Sequence, residues 1–154
     1  MADDRWPIRR LLQWTEQFLR DKGIENPRLE SQILLAHVLR CKRIELYVRS
    51  DEEPREPERT EFRELIKRRV EGCPVAYLVG QREFFQIEFE VSAAVLIPRP
   101  ETEFLVMEAL RLLRERESPR VLDVGTGTGC IAVAIARRHP TARLTATDIS
   151  PDAL

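Results

Sequence analysis

A loop with glycine at every second position, followed about 20 residues later by an aspartate, constrains this sequence most. An apolar run at 121–124 precedes the loop at 125–129, small residues follow over 130–136, and a second apolar run ends in Asp148. This order predicts a strand, a tight turn, a helix and a second strand. Such an order is typical of a nucleotide-binding unit in an α/β fold.

The residue types in this stretch suit a ligand that lies on bare backbone. Glycines allow positive φ and place no Cβ between the chain and a ligand, so the loop amides and the next helix N-terminus can face a polar group. Asp148 would end the neighbouring strand, where its carboxylate can accept two hydrogen bonds from a ribose diol. Its charge would also repel a 2′-phosphate.

The spacing of the glycines separates the classes of nucleotide site. A dinucleotide fingerprint would need glycine where Cys130 stands, and a phosphate-binding P-loop would need a Gly-Lys-Ser/Thr sequence that is absent. The spacing G-x-G-x-G, with Asp123 on the preceding strand, resembles the first motif of S-adenosylmethionine-dependent methyltransferases of Rossmann-like fold. That resemblance implies that the loop covers the methionine part and that Asp148 holds the ribose. The alternative is a glycine-rich turn that packs closely and binds nothing.

Length and composition limit the number of domains and the class of protein, but they do not indicate a function. The 154 residues suffice for one ordinary domain or two small ones, and 43% hydrophobic with 33% charged residues indicates an ordinary globular chain. Residues 1–74 carry 16 basic and 15 acidic side chains, and residues 75–154 carry 9 and 11. Neither half has the positive charge expected of a nucleic-acid-binding protein.

The cysteines and the apolar runs bear on location and assembly. Cys41, Cys73 and Cys130 have no metal-like spacing, and an odd, scattered set suits a reducing compartment. The N-terminus has no apolar signal region, and no run approaches the ~18 apolar residues of a membrane span. We predict a cytoplasmic monomer without metal, membrane contact or direct nucleic-acid contact.

The first half of the sequence predicts a small helical bundle over residues 1–74. Pro7 and Asn26-Pro27 mark helix starts, and Gly23 and Gly72 mark helix ends. Apolar residues recur at helical spacing between these signals. Trp6 and Trp14 are expected to help fill the core. The apolar positions that we expect on the helix faces include Ile8, Leu11, Leu12, Phe18, Leu19, Leu29, Ile33, Leu34, Val38, Phe62, Leu65, Ile66 and Val70.

The period of the pattern changes after the bundle. Apolar and polar residues alternate over 85–91, and a second apolar run at 95–97 follows a Ser-Ala-Ala connection, so we predict a hairpin of these two runs. The proline-rich loop at 97–103 is expected to be rigid and extended. A helix with Leu105, Ala109 and Leu112 on its inner face is predicted to follow.

Four segments in series carry a resemblance to one family. They are Pro-Val-Ala-Tyr-Leu-Val-Gly at 74–80, Ile-Pro-Arg-Pro-Glu-Thr-Glu at 97–103, Asp-Val-Gly-Thr-Gly-Thr-Gly-Cys-Ile-Ala at 123–132 and Thr-Asp-Ile-Ser-Pro-Asp-Ala-Leu at 147–154. In order and content they resemble the peptide chain release factor glutamine methyltransferase family, along the whole chain from the helical part onward.

The resemblance implies a fold, an activity and a set of binding residues. It implies a helical release-factor-docking domain at 1–74, a β-hairpin linker at 75–98 and an incomplete Rossmann-like methyltransferase domain at 99–154. The implied reaction transfers a methyl group from S-adenosylmethionine to the side-chain amide of the glutamine in the Gly-Gly-Gln motif of release factors. The residues implied to bind the cofactor are Gly125, Thr126, Gly127, Thr128, Gly129 and Asp148, and those implied to line the site from the linker are Pro98, Arg99 and Thr102.

One family motif has no counterpart here. Family members carry an Asn-Pro-Pro-Tyr motif after the fourth strand, which grips the substrate amide, and this sequence contains none. An amide nitrogen is a poor nucleophile, so the catalytic residues for that step are unknown in this chain. We expect the chain to be about the first half of a longer enzyme, or a truncated gene product, and to be inactive in methyl transfer by itself.

Three interpretations stay open at this point. The first is a release factor methyltransferase, and the second is a related enzyme that acts on a glutamine of a ribosomal protein. The third is a non-catalytic module whose helical bundle docks a protein partner. A binding comparison between release factors and ribosomal proteins would separate the first two.

Overall fold

The computed structural model describes residues 5–154 and divides them into two compact units, residues 5–79 and 80–154. Each unit has a hydrophobic cluster of its own. Within the described residues, no helix combines the length and apolar character that crossing a membrane requires.

The first unit is helical. Its helices are α1 (Ile8–Asp21), α2 (Pro27–Val38), α3 (Glu45–Val48), α4 (Glu56–Val70) and α5 (Val75–Val79). α2 lies at the centre and packs against α1, α4 and α5. The predicted helical bundle is confirmed for the described part of residues 1–74, and α5 extends it.

The helix boundaries follow the sequence signals. Pro7 precedes the first residue of α1, and Pro27 is the first residue of α2. Asn26 stands at the N-cap position of α2, but its side chain makes no capping hydrogen bond. Gly23 (φ 77°) and Gly72 (φ 101°) follow α1 and α4 in a left-handed conformation that glycine adopts without steric cost.

The core of this unit is closed around α2. Leu19, Leu34 and Leu35 are fully buried, and Phe62 is 2% exposed. The prediction that Trp14 fills the core is wrong, since 54% of this residue is exposed and its ring stacks on Phe18 at a centroid distance of 5.1 Å. Smaller side chains of α1, such as Thr15, occupy the buried positions next to it.

The second unit contains a hairpin and the beginning of an α/β layer structure. Its elements are β1 (Gln81–Phe84), β2 (Ile87–Glu90), α6 (Thr102–Leu113), β3 (Arg120–Val124), α7 (Cys130–Arg138), β4 (Arg143–Thr147) and a 3₁₀ turn (Pro151–Ala153). β3 and β4 are parallel, with Arg120 opposite Arg143 and Val124 opposite Thr147. α7 connects them, as the glycine-loop pattern predicted.

The hairpin differs from the prediction in its strands. β1 pairs with β2 antiparallel, and residues 95–97 form no strand, so the predicted partner run was wrong. The turn is Phe85-Gln86, with φ of 52° and 62°. Neither residue favours this conformation, and tertiary contacts hold the turn. The Phe85 amide donates to Glu103 Oε1 at 2.9 Å, and the Arg138 guanidinium lies 5.1 Å from the Phe85 ring centroid.

The inner face of α6 also differs from the prediction. Leu105 and Leu112 are 56% and 61% exposed, whereas Val106 is fully buried among the aromatic side chains of the hairpin. Ala109 packs against the same cluster, as predicted, and so do Leu110 and Leu113. The predicted face is therefore confirmed at Ala109 and wrong at Leu105 and Leu112, because α6 packs against both the hairpin and α7.

Candidate functional site

The glycine loop is anchored to the carboxyl end of the neighbouring strand. The backbone amides of Gly125 and Thr126 donate to the carbonyl oxygen of Thr147, the last residue of β4, at 2.8 and 2.9 Å. Because β3 and β4 are parallel, their carboxyl ends share one edge of the sheet. The loop and the residue after β4 are therefore neighbours, as the sequence predicted.

All three glycines of the loop have positive φ: 75° at Gly125, 53° at Gly127 and 73° at Gly129. A Cβ at Gly125 or Gly127 would meet no atom within 4 Å. Glycine is required at these two positions by conformation and not by crowding, and the space beside the backbone is open. Gly129 caps α7, so the positive end of the helix dipole lies at the end of the loop.

Asp148 meets the loop directly. Its Oδ2 accepts a hydrogen bond from the Gly127 amide at 2.8 Å, and its Oδ1 accepts one from the Ser150 amide at 2.9 Å. These bonds from Ser150 and Gly127 lower the pKa of the Asp148 carboxyl below its ordinary value, so the group is a carboxylate at neutral pH. A carboxylate has about four acceptor positions, so these two bonds leave acceptor capacity for a ligand.

A second carboxylate supports the loop from the strand below. The Thr126 hydroxyl donates to Asp123 Oδ2 at 2.7 Å, and Thr126 is 9% exposed. From the sequence, Asp123 is expected only to lie on the strand before the glycine loop. The sequence signal for the hydrogen bond between Asp123 and Thr126 is their spacing, since an aspartate three residues before a threonine in a turn can accept a bond from its hydroxyl.

The Cys130 thiol is not a reactive group in this arrangement. It is buried at the first residue of α7, and burial raises its pKa. A thiol with a raised pKa is protonated at neutral pH and is a poor nucleophile.

A cavity of about 640 Å³ lies within the second unit beside the loop. This volume is in the range of small-molecule sites. Thr128 contributes to its lining from the loop, and Glu88 and Glu90 contribute from β2. Asp152 of the 3₁₀ turn adds a third carboxylate, so the cavity suits a ligand with positive charge.

In the described structure, Pro98, Arg99 and Thr102, the residues predicted to line the site from the linker side, are not joined to the glycine loop by hydrogen bonds of their side chains. Pro98 is buried, Arg99 is exposed and Thr102 is the first residue of α6. Within residues 5–154, no hydrogen bond joins their side chains to the glycine loop. The structure brings together the loop and Asp148, and it leaves the linker assignment as a prediction.

Two family models match the chain. The PrmC N-terminal domain matches residues 10–80, and the methyltransferase small domain matches residues 102–154. The first match covers the helical unit, and the second covers α6 and the glycine-loop region.

Curated relatives match almost the whole chain. It is 54% identical to a release factor glutamine methyltransferase of Rhodopirellula baltica over 99% of this chain and 53% of the relative. It is 42% identical to one of Chlorobaculum tepidum over 97% of this chain and 52% of the relative. The chain spans about half the length of these curated relatives.

A solved structure also matches in part. The protein-(glutamine-N5) methyltransferase (release factor-specific) of Alicyclobacillus acidocaldarius is 56% identical, with a TM-score of 0.33, over 41% of this chain and 39% of that one. The two domain matches occur in one chain, in the order helical part and then methyltransferase part, and the relatives align over 97–99% of it. Over the half of the relatives' length that it spans, this chain belongs to the release factor glutamine methyltransferase family.

Proposed function

We propose that this chain supplies the helical docking part and the cofactor-binding part of an S-adenosylmethionine-dependent protein methyltransferase. Its substrate is the side-chain amide of the glutamine in the Gly-Gly-Gln motif of peptide chain release factors. The observation that carries the proposal is the bond between Gly127 and Asp148, which places an open glycine loop and a carboxylate at one edge of a parallel sheet. The names of the relatives support the reaction and the substrate.

The residues present fit S-adenosylmethionine. Open space beside Gly125 and Gly127 admits a ligand to the backbone, and the free acceptor positions of Asp148 suit a ribose diol. When bound, the cofactor supplies an electrophilic methyl group on a sulfonium cation. Carboxylates that line the neighbouring cavity favour that positive charge.

The roles follow from these contacts. Gly125, Gly127 and Gly129, with Thr126 and Thr128, hold the cofactor, and Asp148 holds its ribose. Asp123 positions the loop through the Thr126 hydroxyl. In this proposal, Pro98, Arg99 and Thr102 line the substrate side of the site.

Methyl transfer to an amide nitrogen depends more on how the nitrogen is oriented than on its activation as a nucleophile. The lone pair of an amide nitrogen is delocalised, so the enzyme must align it with the methyl group and stabilise the transition state by hydrogen bonds. In this proposal, the helical domain at 1–74 docks the protein substrate. The glycine loop binds the methyl donor. The hairpin region 75–98 is the proposed linker, and 99–154 is the proposed part of the methyltransferase domain.

Cofactor binding is tested by calorimetry on the 154-residue chain with S-adenosylmethionine. Asp148→Asn is expected to weaken binding by about tenfold or more, since a bond to a charged acceptor is lost. Glu117→Gln, an exposed carboxylate in the loop before β3, is the matched control and is expected to bind like the unchanged chain. Equal affinities for Asp148→Asn and the unchanged chain would refute the assignment of Asp148.

The substrate is tested by binding of the chain to purified release factors and, in parallel, to ribosomal proteins. Retention of a release factor, together with methyl transfer by the family enzyme to its Gly-Gly-Gln glutamine, is the expected result. Selective retention of a ribosomal protein would transfer the proposal to that substrate class. Binding of a partner without any cofactor binding would favour a docking module instead.

A further inference from the structure

The hairpin of the second unit turns at two residues that do not favour the conformation they adopt. Phe85 and Gln86 have φ of 52° and 62°, in the left-handed region that residues with a Cβ rarely enter. A two-residue hairpin turn of this kind is usually made by Asn-Gly or Asp-Gly. The turn therefore depends on contacts that come from outside the hairpin.

Two helices of the same unit supply those contacts. From α6, Glu103 Oε1 accepts a hydrogen bond from the Phe85 amide at 2.9 Å, and Glu103 is half-buried. From α7, Arg138 Nη2 donates to Gln86 Oε1 at 3.2 Å, and its guanidinium lies 5.1 Å from the Phe85 ring centroid. Of these three contacts, the one from Glu103 is made to the backbone, so Glu103 acts on the conformation of the turn directly.

The hairpin has one face in the core and the other at the cavity beside the glycine loop. Phe84 and Phe89 are 1% and 7% exposed and belong to the cluster formed with α6 and α7. Side chains alternate along a strand, so Glu88 and Glu90 lie on the face opposite to Phe89. Both glutamates line the cavity. The position of the hairpin on α6 and α7 therefore determines where these two carboxylates lie.

The turn and the glycine loop are connected by one helix. Thr128 lines the cavity from the loop, and Gly129 is the N-cap of α7. Arg138, which contacts the turn, is the last residue of α7. The loop side of the cavity and the hairpin side are therefore held at the two ends of α7, and Glu103 of α6 fixes the turn that joins β1 to β2.

We propose that Glu103 is a positioning residue of the cofactor site. By holding the turn, its carboxylate keeps Glu88 and Glu90 at the wall of the cavity. Their negative charge there favours the sulfonium of S-adenosylmethionine over the neutral thioether of S-adenosylhomocysteine, the product of methyl transfer. Glu103 itself contacts neither compound and acts through the hairpin. The inference rests on the proposed function, because that function assigns the cofactor to the glycine loop.

The test is the ratio of the affinities of the 154-residue chain for S-adenosylmethionine and S-adenosylhomocysteine, measured by calorimetry with each compound. The two compounds differ only in the methyl group and the charge on sulfur, so a partly unfolded chain would bind both less tightly and leave the ratio unchanged. Glu103→Leu removes the acceptor and is expected to lower the ratio by about threefold, chiefly by weakening S-adenosylmethionine. Glu101→Leu, the same change at an exposed residue two positions earlier, is the control and is expected to keep the ratio.

Further variants separate positioning from folding. Glu103→Gln keeps an oxygen that can accept the bond from the Phe85 amide, and it is expected to retain most of the ratio. Phe85→Asn combined with Gln86→Gly gives a turn that adopts this conformation by itself. In that background, adding Glu103→Leu is expected to leave the ratio nearly unchanged. Hydrogen exchange at the amide of residue 85 should become faster in Glu103→Leu when the turn is otherwise unchanged.

Several results would overturn the role of Glu103. They are an unchanged ratio in Glu103→Leu, including an equal weakening of both compounds, the same fall of the ratio in Glu101→Leu, and the same fall with the Asn-Gly turn in place. An unchanged chain that bound both compounds equally would refute the effect of the hairpin carboxylates and leave the proposed function standing. A chain that bound neither compound would refute the proposed cofactor site, and the positioning role with it.

Discussion

The two units of this chain bury their apolar residues to different extents. Among residues 5–154, the helical unit closes a core of eleven buried hydrophobic residues, whereas the cluster of the second unit contains six. Ten of the fifteen large hydrophobic residues that are exposed in this described range lie in the second unit. The difference follows from the kind of secondary structure, because helices satisfy their own backbone hydrogen bonds and can close a core with near neighbours alone.

A parallel sheet cannot close a core with near neighbours alone. Such sheets need helices on both faces. Val121 and Leu144 on one face of β3 and β4 pack in the cluster with α6 and α7, while Leu122 and Val124 on the other face are 62% and 75% exposed. We therefore expect the free energy of unfolding of the helical unit to depend on its buried side chains, and that of the second unit to depend more on the loop and turn contacts.

The largest effect is expected from a core truncation in the helical unit. Leu34→Ala should lower the free energy of unfolding by about 2–5 kcal/mol, since Leu34 is fully buried and its loss leaves a cavity. The measurement is urea denaturation followed by helical circular dichroism. Leu122→Ala, at the exposed sheet face, is the control, with an expected change within about 0.5 kcal/mol. Equal losses in the two variants would contradict the contrast between the units.

A smaller effect is expected when strain is introduced in the glycine loop. Gly127→Ala should cost about 1–2 kcal/mol, because alanine is strained at a φ of 53°, and should weaken S-adenosylmethionine binding. Gly23→Ala is matched to it, since Gly23 also has positive φ and a Cβ at either site would meet no atom within 4 Å. Both should lose hydrogen-exchange protection locally, and only Gly127→Ala should lose cofactor affinity. A comparable loss of affinity in Gly23→Ala would show that the effect is not local.

The next effect concerns the support under the loop. Thr126→Val keeps the side-chain shape but removes the hydroxyl that donates to Asp123, at an expected cost of about 1 kcal/mol. The amides of the loop should exchange faster, with the helical unit unaffected. Thr141→Val, at an exposed position of the same unit, is the control. Unchanged exchange in the loop of Thr126→Val would show that Asp123 does not position it.

The smallest effect is a pH dependence at Asp148. Its pKa is lowered by the Ser150 and Gly127 amides, so the stabilisation is complete above the ordinary aspartate pKa of about 3.9 and is lost as pH falls through the lowered value. Nuclear magnetic resonance of the Gly127 and Ser150 amides should show one shared transition in that acidic range. Asp148→Asn should abolish it. A midpoint above the ordinary value would contradict the carboxylate contacts.

The order of helices in the first unit and the strand, loop, helix and strand around the glycine motif could be predicted because local signals determine them. Helix ends at Gly23 and Gly72 follow from conformational preference, and β3 and β4 follow from apolar runs next to the loop. The assignment of cofactor residues on that loop, and the division of the chain at 74 and 98, stay predictions. In the structure, the chain divides into its two compact units between Val79 and Gly80.

The hairpin and the α6 face could not be predicted in the same way. β1 has a single buried residue, Phe84, in an otherwise polar strand, so its sequence shows no alternation. The turn at Phe85-Gln86 lacks the Asn-Gly or Asp-Gly pair that usually marks such turns. Its conformation depends on Glu103, which is distant in the sequence.

The amino-acid sequence by itself determined the helical bundle, the α/β class of the second unit and the place of the loop at a strand end, because each depends on period, proline and glycine within a few neighbouring residues. Only the tertiary structure decided which face of α6 is buried, that Trp14 is exposed and stacks on Phe18, and that Asp148 bonds to Gly127. These features depend on contacts between elements, and residues with the same local pattern can be buried or exposed according to what packs against them.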